Sequence, residues 1–155
     1  MRFAVDCMLG KLAKWLKILG FDVFYDCRVD DHALLERVRR EKRVLLTKDH
    51  GLLDRSRGIQ TLFIESDRWE DQLRQTLDSL RLRPLVRPHS RCLQCNVGLK
   101  SLPKQRAKNL VAPFVYERAK AFALCPSCGR VFWRGTHFDD MTAKLEKILA
   151  KPRLR

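Results

Sequence analysis

Val44-Leu45-Leu46-Thr47-Lys48-Asp49 decides the fold. Three apolar residues make a short buried strand, Thr47 follows, and a carboxylate stands just beyond the strand's end. In open α/β sheets, ligands bind outside the carboxyl ends of the strands, so this acid belongs at the mouth of a cleft. Two other segments offer acids to meet it. Asp6 follows Phe3-Ala4-Val5, and Asp30-Asp31 precedes another amphipathic run. Three carboxylates from three segments, brought to one sheet edge, describe a site for a hard divalent cation.

The rest of the first half supports a sheet at that position. Phe3-Ala4-Val5 is a short apolar first strand. From Leu9 the period changes: Leu9, Leu12, Ala13, Leu16 and Leu19 fall at helical spacing, with Gly20 as a C-terminal stop. Lys11, Lys14 and Lys17 form a separate basic stripe on that helix. Val23-Phe24-Tyr25 reads as a second strand. Asp30 or Asp31 caps a helix with Leu34, Leu35 and Val38 on its apolar face and a cluster of basic residues at its end. Val44–Leu46 is the third strand, Leu52 and Leu53 belong to a short helix, and Thr61-Leu62-Phe63-Ile64 is the fourth strand. Trp69, Leu73, Leu77 and Leu80 share one face of a following helix. This alternation predicts a three-layer α/β domain with a parallel sheet over residues 1–83.

Residues 84–91, with Pro84 and Pro88, read as a linker. Residues 92–155 form a second, smaller unit with shorter, irregular elements. Phe114-Val115-Tyr116 and Val131-Phe132-Trp133 are strand-like, and Asp139 opens a last helix with Met141, Leu145, Ile148 and Leu149 apolar. The tail Lys151–Arg155 is basic and expected to fray.

The chain has 155 residues, 45% of them hydrophobic, enough for one domain and a small appendage with a real core. A run of about 18 apolar residues is missing, which excludes a membrane-spanning helix. Met1-Arg2-Phe3 leads into a strand rather than a signal peptide, so the expected location is cytoplasmic. The net charge of +14 points to a polyanionic partner, most simply nucleic acid. That charge is uneven. Residues 1–90 carry 18 Lys/Arg against 14 Asp/Glu, whereas residues 91–155 carry 14 against 4. The second unit is therefore the stronger grip on a polyanion, and the first holds the acids.

Four of the six cysteines fall in two Cys-x-x-Cys pairs, Cys92/Cys95 and Cys125/Cys128. Such pairs read as a metal site rather than as disulfides, and four thiolates suit one tetrahedral, structural Zn²⁺. Asn96 and Gly129 directly follow the pairs, and both residue types tolerate the positive φ of a tight metal-binding turn. The 29 residues between the pairs, 96–124, exceed the usual spacing and call for an extended hairpin. A closed four-cysteine site leaves no open position, so this metal is not catalytic. Cys7 and Cys27 stand alone and are expected to be small buried residues.

Each acid also has a plain structural reading, because Asp49 and Asp31 can each cap a helix. Asp6 is harder to explain as a cap, and Asp67, after the fourth strand, is a possible fourth member of the cluster. The Lys11/Lys14/Lys17 stripe starts beside Asp6 and reads either as phosphate positioning or as a solvated helix face. Trp133 and His137 follow the second Cys pair and read as stacking or phosphate contacts, with a core role as the alternative for Trp133.

The stretch from Asp6 to Asp22, with its core Met8-Leu9-Gly10-Lys11-Leu12-Ala13-Lys14-Trp15-Leu16, resembles the opening of the RNase domain found at the C-terminus of the Mut-seven exonuclease. Three later segments agree: Asp31–Leu35, Arg43–Asp49 and Cys125–His137. The resemblance covers nearly the whole chain. It implies a PIN-like domain with an appended zinc ribbon, ribonuclease activity, and Asp6, Asp31 and Asp49 as the acids that bind catalytic Mg²⁺ or Mn²⁺. Arg is usual in that family at the positions of Lys14 and Lys48, and Ser at Thr136; these exchanges keep the charge or the hydroxyl. Lys48 thus joins the residues expected to touch RNA.

Two functions compete. One is a metal-dependent ribonuclease acting on single-stranded or structured RNA. The other is a non-catalytic module that binds RNA, tRNA or the ribosome through the zinc ribbon, with the acids serving only as helix caps.

Overall fold

The computed structural model describes residues 1–150; residues 151–155, the basic tail, and the side chain of His137 lie outside the described residues. Four parallel strands form the first sheet: β1 (Arg2–Val5), β2 (Asp22–Phe24), β3 (Val44–Thr47) and β4 (Thr61–Phe63), in the order β2-β1-β3-β4. The register sets Ala4 opposite both Phe24 and Leu45, and Val5 opposite Leu46. β1 and β3, the strands that precede Asp6 and Asp49, are therefore neighbours at the centre of the sheet.

Alternation along these strands explains the layers. Phe3, Val5, Val44 and Leu46 belong to the apolar cluster of α1 (Gly10–Ile18) and α4 (Trp69–Ser79). Ala4 and Leu45 pack instead with Leu34, Leu35 and Val38 of α2 (Asp31–Glu41) and Leu52 of α3 (His50–Arg55). The result is the expected three-layer α/β arrangement. Trp15 of α1 and Trp69 of α4 stack at 4.6 Å between ring centroids, closing the outer side of the first layer.

Residues 84–91 lie against this core. A 3₁₀ turn at Arg83–Leu85 leads to backbone bonds from Arg87 to the Leu19 carbonyl (2.9 Å) and from His89 to the Ile18 carbonyl (2.7 Å), which satisfy the end of α1. A second, antiparallel sheet follows, ordered β5-β6-β7 and built from β5 (Lys100–Leu102), β6 (Phe122–Leu124) and β7 (Val131–Trp133). Between β5 and β6 lie two short helices, α5 (Lys104–Ala107) and α6 (Pro113–Arg118). The strand expected at Phe114–Tyr116 is thus part of a helix. Pro113 occupies a first-turn position, where its fixed φ and missing N–H favour a helix start; Val115 is buried in the small core, Tyr116 packs against it and Phe114 is exposed.

The last helix, α7 (Thr136–Leu149), starts three residues earlier than Asp139 and, rather than staying with the ribbon, packs on the parallel sheet's side, where Leu145 and Ile148 join the core of α1 and α4. Among the described residues no helix is long and apolar enough to cross a membrane.

Candidate acidic cleft and four-cysteine centre

The acids gather at the carboxyl edge of the parallel sheet. Asp6 is 8% exposed and held by a backbone bond from its own N–H to the Leu46 carbonyl at 3.0 Å. Its Oδ2 accepts from the fully buried Thr47 hydroxyl at 2.9 Å. The same hydroxyl oxygen accepts the Asp49 N–H, also at 2.9 Å. One threonine therefore couples the Asp6 carboxylate to the backbone of Asp49. The sequence pattern ended the strand at Leu46 and gave Thr47 no role; its signal is a β-branched polar residue at a position that the sheet buries completely.

Asp49 caps α3, with Oδ1 accepting the N–H groups of Gly51 (2.6 Å) and Leu52 (3.1 Å). Asp49 is exposed, and among the described residues its Oδ2 takes no hydrogen bond, so the cap uses one oxygen only. Asp30, not Asp31, caps α2, accepting the Ala33 N–H at 2.8 Å. This leaves the Asp31 carboxylate free of capping duty, and it pairs with Arg55 of α3. Asp67 is almost wholly exposed and pairs with Lys48, a second partner that composition alone did not reveal. Lys11 and Lys14 are exposed on α1, whereas Lys17 is half-buried. Burial pulls the Lys17 pKa below its ordinary value, and the nearby Cys92 thiol partly offsets this.

Hard carboxylate oxygens suit Mg²⁺ or Mn²⁺. The three acids are not drawn within 4.8 Å of one another, however; among the described residues the group that meets that measure is Cys92, Cys95, Cys125 and Cys128. Cys92 and Cys128 have sulfurs 3.9 Å apart. A tetrahedral site with Zn–S bonds of about 2.3 Å needs sulfurs about 3.8 Å apart, so the cluster fits a metal ion such as zinc. Both turns have the backbone expected of them, with φ of 59° at Asn96 and 71° at Gly129. The Cys125 thiol is drawn down to about 7: burial opposes its ionisation, but N–H bonds from Cys128 and Ser127 outweigh that. Cys95 is pushed up to about 11, chiefly because it shares a hydrogen bond with Cys128.

The cysteine centre is tied to the opposite side of the molecule from the acids. Asn96 Oδ1 accepts the Val23 N–H of edge strand β2 at 3.1 Å, and its Nδ2 donates to Asp22 at 2.9 Å. Arg43, 10% exposed at its side chain, bonds the same Asp22 oxygen at 2.7 Å and the Phe3 carbonyl at 3.0 Å. Arg91 joins the carbonyls of Gly20 and Asn96. Burial would raise the Asp22 pKa, but the bonds from Arg43 and Asn96 together hold it below the usual carboxylate value.

Cys7 and Cys27 are not the buried single residues expected. They are exposed and joined by a disulfide, with Cα atoms 5.1 Å apart. The cause is the β1–β2 register: Ala4 faces Phe24, and each cysteine lies three residues farther on.

Comparison with protein-family profiles matches residues 1–145 with the Mut7-C RNAse domain. The chain belongs to the Mut7-C RNAse domain family. No curated protein and no solved structure gives a significant match. Family membership accounts for a nuclease-like role and for RNA as the class of substrate; the parallel sheet and the four-cysteine ribbon are the two halves of the Mut7-C chain as it folds here.

Proposed function

We propose that the protein is a metal-dependent ribonuclease of the PIN-like kind, with Asp6, Asp31 and Asp49 as its cation-binding acids. One observation supports this most: Asp6 and Asp49 follow neighbouring central strands and are coupled through one buried hydroxyl, that of Thr47. Asp6 also caps the 3₁₀ turn that follows it, its Oδ1 accepting the Met8 N–H at 3.4 Å, but capping gives no reason for the bond to Thr47. A divalent cation held there would lower the pKa of a bound water and offset charge on the attacked phosphate. Thr47 orients the Asp6 carboxylate. Asp49 would bind the cation through the oxygen that its cap leaves unused, and Asp31 would join when Arg55 releases it. Lys11, Lys14 and Lys48 supply positive charge for phosphates around the cleft. The cysteines hold a structural Zn²⁺, and the ribbon with its excess of basic residues adds affinity for RNA without taking part in the reaction.

The test is cleavage of RNA with Mg²⁺ or Mn²⁺ by the parent, Asp6→Asn and Asp49→Asn. Each variant should lose about 100-fold or more, the loss of a cation interaction worth several kcal/mol, while RNA affinity survives. Asp31→Asn should cost less. Equal cleavage by all three would remove the acids from the reaction.

A second reading has its own support. Asp49 caps α3 and Asp31 pairs with Arg55, so both acids already have structural employment. A non-catalytic RNA- or ribosome-binding protein would show salt-sensitive RNA binding and no metal-dependent cleavage.

A further inference from the structure

The inward turn of α7 leaves a cavity of about 630 Å³ between the end of α1, the ribbon sheet and α7 itself. We propose that this cavity takes an unpaired nucleobase of single-stranded RNA, stacked on Trp133 and with its phosphates held by Arg91 and Arg134; the idea rests on RNA being the substrate. Its volume is that of a small-molecule site.

The walls suit a flat heterocycle attached to an anionic chain. Phe132, Trp133 and Phe138 line it, as do Arg91, Arg134 and His89, and no carboxylate does among the described residues. Trp133 is 41% exposed, unusual for an indole at the end of a short strand. Its edge lies against Gly135, where a Cβ would sit in ordinary contact with the indole nitrogen at 3.4 Å. Phe138 is fixed from behind by His89, with ring centroids 3.8 Å apart, and His89 bonds the Thr142 hydroxyl at 3.2 Å. Arg134 lies over the Phe138 ring and is braced by Asp139 at 2.9 Å. Aromatic faces stack on any base, and argininium groups at the rim complement phosphate.

The cavity also lies on a route from the acids. Ile18 lines it at the end of α1, and Gly10 begins that helix beside Asp6. Eight residues of helix span about 12 Å, so the stacked base lies a few nucleotides along the strand from the cleft. The exposed Lys11 and Lys14 stand along that helix.

The experiment uses the full chain with zinc retained and no added Mg²⁺ or Mn²⁺, and a single-stranded RNA carrying 2-aminopurine or an abasic nucleotide at successive positions. One position should show quenched 2-aminopurine fluorescence on binding, and an abasic nucleotide there should weaken binding about tenfold, the effect of losing one stacked base. Trp133→Ala should weaken intact RNA by a similar factor and make the abasic change harmless, while Trp133→Phe retains most of the affinity. The abasic series on the parent needs no variant, so a misfolded Trp133→Ala protein leaves the test standing. If abasic changes are harmless everywhere while the parent binds RNA, the cavity holds no base. Cleavage with Mn²⁺, measured in parallel, keeps the two ideas apart: cleavage without a base effect overturns only the cavity, and a base effect without cleavage overturns only the nuclease.

Discussion

The two edges of the parallel sheet are built in opposite ways. At the carboxyl edge, acids project from strand ends and helix starts, and the connection between them is a single buried hydroxyl, Thr47. At the far side, Arg43, Asp22, Asn96 and Arg91 form a continuous set of bonds from β1 and β2 to the cysteine centre. The first edge has charges without full neutralisation, as a cation or phosphate site requires. The second pairs Arg43 with Asp22 and satisfies its backbone carbonyls, as a structural joint requires, and Arg91 keeps its positive charge. The contrast agrees with the proposed division of labour, in which the carboxyl edge binds the cation and the other edge holds the ribbon.

The largest effect should come from the metal corner. Purified protein should carry about one Zn²⁺ per chain, and Cys125→Ser should abolish it and with it the ordered ribbon, since structural zinc contributes about 10–16 kcal/mol in isolated fingers. Metal analysis and circular dichroism check this; the Trp15–Trp69 stack should still report a folded parallel sheet. A ribbon that stays folded without metal would make the two edges equally self-sufficient.

Next in size is the carboxyl edge. Thr47→Val keeps the shape but leaves the Asp6 carboxylate and the Asp49 N–H without their shared partner, at a cost of about 1–3 kcal/mol. Urea unfolding measures that cost, and metal-dependent cleavage should fall with it. Unchanged stability would mean that water replaces the hydroxyl and that the acids are not coupled.

Asn96→Gly is milder. Glycine accepts the φ of 59°, so the turn survives, and only the side-chain bonds to Val23 and Asp22 are lost, about 1–2 kcal/mol. The smallest effect is its pH dependence. The Asp22 pKa is lowered in the folded protein, so its contribution to stability is present above the ordinary carboxylate value and disappears as pH falls through the lowered one. The stability difference between parent and Asn96→Gly should therefore shrink in acid. A difference independent of pH would show that Asn96 acts through Val23 alone.

Much of this contrast was legible in the residues. Val44–Leu46 and Phe3–Val5 are short, apolar and read as buried strands, and the fold makes them neighbours, so that the acids following them stand at one edge of the sheet. The Cys pairs, with Asn96 and Gly129 behind them, fixed the ribbon's turns, including both positive φ values. What escaped depends on neighbours that the chain meets only when folded. Strand order is invisible in apolar periodicity, so nothing brought Cys7 to Cys27 before Ala4 was paired with Phe24. Phe114-Val115-Tyr116 has the composition of a strand, but Pro113 starts a helix there, with Val115 and Tyr116 on the small core and Phe114 exposed. Arg55 found Asp31 across two helices, a contact that no local spacing announces.

The Asn96 side chain has one consequence beyond joining two units. β2 is a margin of the sheet, and a margin strand offers bare N–H and C=O groups to any other extended chain. By accepting the Val23 N–H, a residue of the cysteine turn stands where the next strand of a stranger would add. Zinc depletion would therefore do more than loosen a ribbon. It would uncover an adhesive border, and the first sign of metal starvation in this protein would be clumping of molecules whose sheets are still intact.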